Sequence, residues 1–183
     1  MNKLIAIVGM CGSGKSIASD YYENLGYQKV YFGGVTMDKL KEANLAVNPE
    51  NERAMREGLR KEYGMAAYAI ILLPKIEELL SKGNVILDGL YSWDELKVLK
   101  EKFSNLKVIA IVVNKDKRYE RLASREIRPF NNEEAKDRDI TEIENLAKAG
   151  PIAYADYYIL NDDNLEKYYK DLDDITKLIS EED

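Results

Sequence analysis

Gly9-Met10-Cys11-Gly12-Ser13-Gly14-Lys15-Ser16 follows directly on Leu4-Ile5-Ala6-Ile7-Val8, and the junction between the two stretches decides the fold. An apolar run without polar alternation reads as a strand buried on both faces. The octapeptide satisfies G-x-x-x-x-G-K-[ST] at every fixed position, and an amphipathic pattern opens at Lys15. Strand, glycine-rich turn and helix in that order let the backbone wrap a polyphosphate. Amide N–H groups and the positive end of the helix then face the anion. In such a loop the lysine reaches the β- and γ-phosphates and the final hydroxyl is a magnesium ligand, which are here Lys15 and Ser16. Gly9, Gly12, Ser13, Gly14, Lys15, Ser16 and Ile17 are thus expected to hold ATP, with Mg²⁺ on Ser16. Cys11 lies in the variable part of the loop and reads as a small filler residue.

Composition excludes most other chemistries. The chain has 183 residues, 45% hydrophobic and 33% charged, enough for one domain over residues 1–183 that buries a real core. Lys and Arg total 27 against 33 Asp and Glu, and the net charge of -6 argues against a nucleic-acid surface. Histidine is absent, which removes Ser-His-Asp, Cys-His and His-ligated zinc chemistry. A single cysteine excludes an internal disulfide and suits a reducing compartment, so the expected location is cytoplasmic. No apolar run approaches the roughly 18 residues of a membrane span. The apolar start of the chain stops at Gly9 and reads as a strand, not a signal segment. What remains is chemistry by carboxylates, lysine, arginine, hydroxyls and backbone amides.

Strands are expected at Leu4–Val8, Lys29–Phe32, Val85–Leu87, Val108–Val113 and Tyr157–Leu160. Between them lie helical patterns at Lys15–Leu25, Pro49–Tyr63, Met65–Ser81, Trp93–Phe103, Lys117–Arg125, Glu133–Lys148 and Leu165–Ile179. Gly26 and Gly83 sit where helix C-caps belong, and Pro74 should kink or split its helix. This alternation implies an α/β fold: a parallel five-stranded sheet between two helical layers, with binding at the carboxyl edge of the strands.

Val85-Ile86-Leu87-Asp88-Gly89 brings an acid to that edge. Asp88 there holds Mg²⁺ through water or accepts a substrate proton; the alternative is a turn aspartate of the D-G type. Arg118, Arg121, Arg125, Arg128 and Arg138 crowd one stretch, interleaved with acids. Guanidinium forks suit phosphate oxygens and can close over a transferring group, although a salt-bridged surface helix would carry the same pattern. Arg121 and Arg125 lie one turn apart and can point together into a cleft. Arg53, Arg56 and Arg60 follow Pro49 and either meet an anionic acceptor or stand in solvent. Tyr91 and Trp93, just after Asp88, are candidates to stack on a base.

These motifs together resemble a P-loop kinase of the nucleoside monophosphate kinase superfamily, most like dephospho-CoA kinases and an archaeal adenylate-kinase-like family. The likeness rests on the phosphate loop, on Val85–Gly89, and on Arg118-x-x-Arg121-Leu122-x-x-Arg125. It continues through Glu134-Ala135-x-x-Arg138-Asp139 to Ala155-Asp156-Tyr157-Tyr158-Ile159-Leu160-Asn161. It implies a three-layer α/β/α P-loop NTPase fold with an arginine-rich helical lid at about 115–140 and acceptor-side helices at about 33–81. It also implies an ATP- and Mg²⁺-dependent phosphotransferase acting on a nucleotide-type acceptor, a nucleoside monophosphate or dephospho-CoA. Lys15, Asp88, Arg125 and Arg138 would be catalytic, while Arg121, Arg125 and Asn161 would contact the nucleotide, with Asn161 and Asp162 beside the base.

Two stretches depart from the pattern. Gly33-Gly34 stand where dephospho-CoA kinases resemble one another in an aspartate, and Asp38 comes later; Leu90-Tyr91-Ser92 replace the proline–arginine pair of adenylate kinases. These departures motivate an alternative, a nucleotide-binding switch or weak P-loop NTPase acting through a protein partner. Asn114-Lys115-Asp116 only resembles the base-reading N-K-x-D of switch GTPases.

Overall fold

The strand Leu4–Val8 (β1) is completely buried at every position, because sheet neighbours flank it on both edges and helices cover both faces. The structure, a computed structural model, describes residues 2–182. The other strands are Gln28–Tyr31 (β2), Val85–Asp88 (β3), Leu106–Val112 (β4) and Tyr157–Leu160 (β5), in the order β2-β3-β1-β4-β5 with every pairing parallel. Each strand therefore returns by a crossover, and helices fill those connections. They are Lys15–Asn24 (α1), Gly34–Glu42 (α2), Pro49–Tyr63 (α3), Ala67–Lys82 (α4), Trp93–Lys102 (α5), Lys115–Ala123 (α6), Asn132–Glu144 (α7), Ala149–Ala153 (α8) and Leu165–Glu181 (α9).

Side-chain alternation splits the core into two halves. Leu4, Ala6 and Val8 face one way with Val30, Leu87 and Val108, and pack against Leu72 and Ile76 of α4 and Leu96 and Leu99 of α5. Ile5 and Ile7 face the other way with Ile86, Ile109 and Ile159, against Ala18 and Tyr22 of α1 and Tyr168 and Leu172 of α9. Each fully buried aliphatic side chain contributes about 1.5–3 kcal/mol relative to exposure, so the central strands hold both layers together. The result is the three-layer α/β/α sandwich.

The strands and long helices lie where the periodicity puts them, within a few residues. α2 forms over Gly34–Glu42, where no helix is expected, because Val35, Thr36 and Leu40 bury against the fold despite a weak local pattern. The segment expected as one helix over Glu133–Lys148 ends at Glu144. Ala147 takes φ 50 and the Lys148 amide turns back to the Glu142 carbonyl at 3.1 Å, before α8 begins. Pro74 does not split α4, whose buried Leu72 and Ile76 hold both halves on the sheet. Gly26 takes the left-handed conformation just past α1, with φ +89. Gly83 ends α4 with an extended φ of 175 that needs no glycine. Among the described residues no helix is long and apolar enough to cross a membrane.

Candidate active site

The loop after β1 is held by its carbonyls. The Arg118 guanidinium donates to the Cys11 carbonyl at 3.1 Å, the Asn161 amide to Ser13 at 3.0 Å and the Tyr168 hydroxyl to Gly14 at 3.0 Å. In a trans peptide the N–H points opposite to the C=O, and the chain has no cis bond among the described residues. Pinning those carbonyls therefore turns the amides of Gly12, Gly14 and Lys15 away from the pinning side chains. Neither these amides nor that of Ser16 donate to any protein acceptor among the described residues. N–H groups left without protein acceptors at a helix start suit an anion. Gly14 caps this helix at φ +96, and a Cβ there would lie 2.6 Å from the Asn161 side-chain nitrogen, so only glycine lets Asn161 brace the loop so closely.

Lys15 is half-buried and donates to the Met10 carbonyl at 2.9 Å. Burial, and then the Lys148 ammonium nearby, lower its pKa to about 8 against the pull of Glu142, Cys11 and Asp88. Asp88 ends β3 opposite Ile7 of β1 and Tyr31 of β2. Burial pushes its pKa up, while Lys29, Lys15 and the Ser19 hydroxyl pull it down. The carboxylate therefore faces the same space as Lys15.

The third wall comes from α7 and the turn after it. Glu142, only 1% exposed, accepts the Cys11 amide at 3.3 Å, the Arg138 guanidinium at 3.0 Å and the Lys148 ammonium at 2.8 Å. Burial alone would raise the Glu142 pKa, but Lys148, Arg138 and Lys15 outweigh it and hold the carboxylate below its usual range. Lys148 is likewise 1% exposed, its ammonium 5.0 Å from the centre of the Tyr91 ring. Burial lowers its pKa despite Glu142. Arg118 and Asp139 form a buried two-toothed pair at 2.8 and 2.6 Å, with Tyr119 also on Asp139, and so tie α6 to α7 beside the loop.

The structure thus brings Lys15, Asp88 and Arg138 together. Arg121 instead donates to the Asn161 carbonyl at 2.9 Å, and both residues support the loop. Asp162 accepts the Asn114 amide at 2.8 Å. Arg125 and Arg128 are exposed on the stretch between α6 and α7 and make no ion pair among the described residues, with Arg128 at φ 53. Asn114 caps α6 through the Asp116 amide at 2.9 Å. Tyr91 lies under Lys148, whereas Trp93 stacks edge-on against Tyr154 at 5.4 Å and lines an apolar groove with Ile143 and Gly150. Glu142, Lys148 and the bracing roles of Arg118 and Tyr168 carry no motif signal in the sequence.

On the other side of the sheet edge, the hydroxyls of Thr36 and Tyr68, both buried, lie 2.7 Å apart. Arg60 covers the Tyr68 ring at 5.9 Å, and its buried Nε has no hydrogen-bond partner among the described residues. Arg56 pairs with Glu52 at 3.5 Å and Arg53 with Glu57 at 2.8 Å in solvent. Asp38 is exposed on α2, so no carboxylate from this stretch replaces the acid missing at Gly33-Gly34.

The donor set suits a magnesium nucleotide. Ser16 is exposed in the first turn of α1, and the Ser13 hydroxyl is buried with no partner among the described residues. No cluster of three or more metal-ligating side chains occurs among the described residues. A divalent cation held here needs oxygens from elsewhere, which is how Mg²⁺ sits on phosphates with one or two protein ligands.

A family model described as an AAA domain matches residues 5–140. The chain is similar to a UPF0200 protein of Pyrococcus abyssi, 33% identical over 181 residues that cover 96% of each chain. Its fold is similar to that of a shikimate kinase from Bacteroides thetaiotaomicron, with a TM-score of 0.63 and 15% identity over 98% of this chain and 99% of that one. It is also similar to a gluconokinase from Sinorhizobium meliloti, with a TM-score of 0.59 and 14% identity over 98% and 94%. The three-layer fold is therefore shared with these two kinases. With its match to the AAA-domain family over residues 5–140 and its full-length identity to the Pyrococcus abyssi relative, the chain carries an AAA domain and belongs to the UPF0200 family.

Proposed function

We propose that this protein is an ATP- and Mg²⁺-dependent phosphotransferase whose acceptor is a nucleotide-type molecule. The observation that carries the reading is the phosphate loop itself: amides without protein acceptors, a half-buried Lys15, and Asp88 facing it from β3. Lys15, Lys148 and Arg138 outnumber the carboxylates that face them, and a polyphosphate would balance that charge. Mg²⁺ held on Ser16, with Asp88 reached through water, supplies charge neutralisation at the phosphates. The loop amides and Lys15 bind the donor, and Arg138 with Arg125 of the lid offsets charge on the transferring group. The acceptor enters over Gly33–Thr36 and the helices between Pro49 and Ser81. Among such acceptors a nucleoside monophosphate is favoured over dephospho-CoA. A phosphate is already ionised and needs a cation, here Arg60 with its unpaired Nε, whereas a hydroxyl acceptor needs a base that Gly33-Gly34 do not supply.

The test is ADP release by purified protein with Mg²⁺ and ATP, challenged with each nucleoside monophosphate and with dephospho-CoA. The expected result is strong stimulation by at least one monophosphate. ATP binding without stimulation by any of these acceptors would defeat the reading. It would favour the nucleotide-dependent switch that the missing acid at Gly33-Gly34 suggests.

A further inference from the structure

An ammonium group buried as completely as that of Lys148 gives up its hydration, and a lysine needed only to join α7 to α8 could keep its charge in water. Lys148 also does not neutralise its surroundings. Its partner Glu142 is shared with Arg138, and Lys15 lies close enough for the Lys148 charge to depress it. The positions are tightly linked, because one Glu142 oxygen accepts both the Cys11 amide of the phosphate loop and the Lys148 ammonium. On its other side the ammonium faces the Tyr91 ring, which follows Asp88 by three residues at the carboxyl edge of the sheet. Lys148 therefore stands between the loop that would hold a donor and the edge that an acceptor must approach.

We propose that Lys148 is a second lysine of the transfer centre, contacting the γ-phosphoryl group, and that Glu142 is the positioning residue that aims it. This rests on the phosphotransferase reading above. In the step, an acceptor oxygen forms a bond to the γ-phosphorus while the bond from that phosphorus to the β,γ-bridging oxygen breaks, and ADP leaves with the electron pair. Lys148 stays an ammonium throughout and moves no proton. Its work is to offset charge on the transferring oxygens, alongside Lys15.

The test compares equilibrium binding of ADP and of the non-hydrolysable ATP analogue AMP-PNP, both with Mg²⁺, to wild-type, K148M and K148R protein by calorimetry. Loss of a charge-assisted hydrogen bond to the γ-phosphate should weaken AMP-PNP by about tenfold or more in K148M. ADP affinity should stay within about twofold, and K148R should recover part of the difference because it keeps the charge. Where K148M melts too low to assay, the double variant K148M/E142Q removes both buried charges and is compared in the same way. Equal losses for both nucleotides, or unchanged AMP-PNP affinity, would overturn the role of Lys148 while leaving the kinase reading intact. Wild-type protein that binds neither nucleotide would overturn the kinase reading and this inference with it.

Discussion

Lys15 is the residue whose chemistry is most legible from sequence and whose ionisation is least so. The motif names it, but the fold buries it beside Lys148 and brings its pKa to about 8. Phosphate oxygens beside the ammonium favour the charged form and restore a higher value. Nucleotide binding near pH 8 should therefore take up about half a proton, and near pH 6, where Lys15 is already charged, almost none. Affinity should fall as pH rises above about 8, since free protein must then be protonated in order to bind. Calorimetry in buffers of different ionisation enthalpy reads this directly, and an uptake that persists unchanged in K15M would assign the proton elsewhere. Arg118, Asn161 and Tyr168 show the opposite case. Each fixes a carbonyl of the loop from a distant part of the chain, and a lone polar residue advertises no such contact.

At the scale of elements, the N-terminus of α5 combines a local signal with a tertiary consequence. Ser92 and Glu95 have the S-x-x-E spacing of a capping box, and both halves of it form. Packing of α5 against α4 then buries Glu95 to 1% exposure, which raises its pKa to about 7 in spite of the Tyr91 and Ser92 amides and Arg60. A carboxyl with a raised folded-state pKa stabilises the fold when protonated. That contribution is full below about pH 4.5 and is lost as pH rises through about 7. E95Q keeps an acceptor oxygen but cannot ionise. Its unfolding free energy from urea titration should decline less than that of wild type between pH 5 and pH 8, by about 2–3 kcal/mol. Identical pH profiles for the two proteins would refute the assignment. α2 and α8 were not legible because neither carries a run of helical periodicity. Burial of Val35 and Leu40, and the turn at Ala147, make them.

For the whole molecule, α6 and α7 form an arm whose base is locked by Arg118 and Asp139 and whose tip carries Arg125 and Arg128 into solvent. Two guanidinium groups without an ion pair among the described residues, on an arm beside the phosphate loop, suit a lid that closes on its ligand. R125A should lower kcat with the acceptor identified by screening by about 100-fold or more, as loss of a transition-state cation does, while leaving ADP affinity within about twofold. Steady-state rates with binding measured separately check it; a loss confined to ADP affinity would make Arg125 a ground-state contact. The sequence by itself determined the strand–loop–helix unit, the parallel three-layer sheet and the absence of histidine and disulfide chemistry. These follow from local periodicity, from a contiguous motif and from composition. Only the tertiary structure decided which charged side chains lie against the phosphate loop in the free protein. Arg121 was drawn into bracing Asn161, Arg125 stayed in solvent, and Glu142 and Lys148 came to the loop from the far end of α7. The physical reason is that a charge is assigned by its burial and by its neighbours, and both are set by chain segments more than a hundred residues apart.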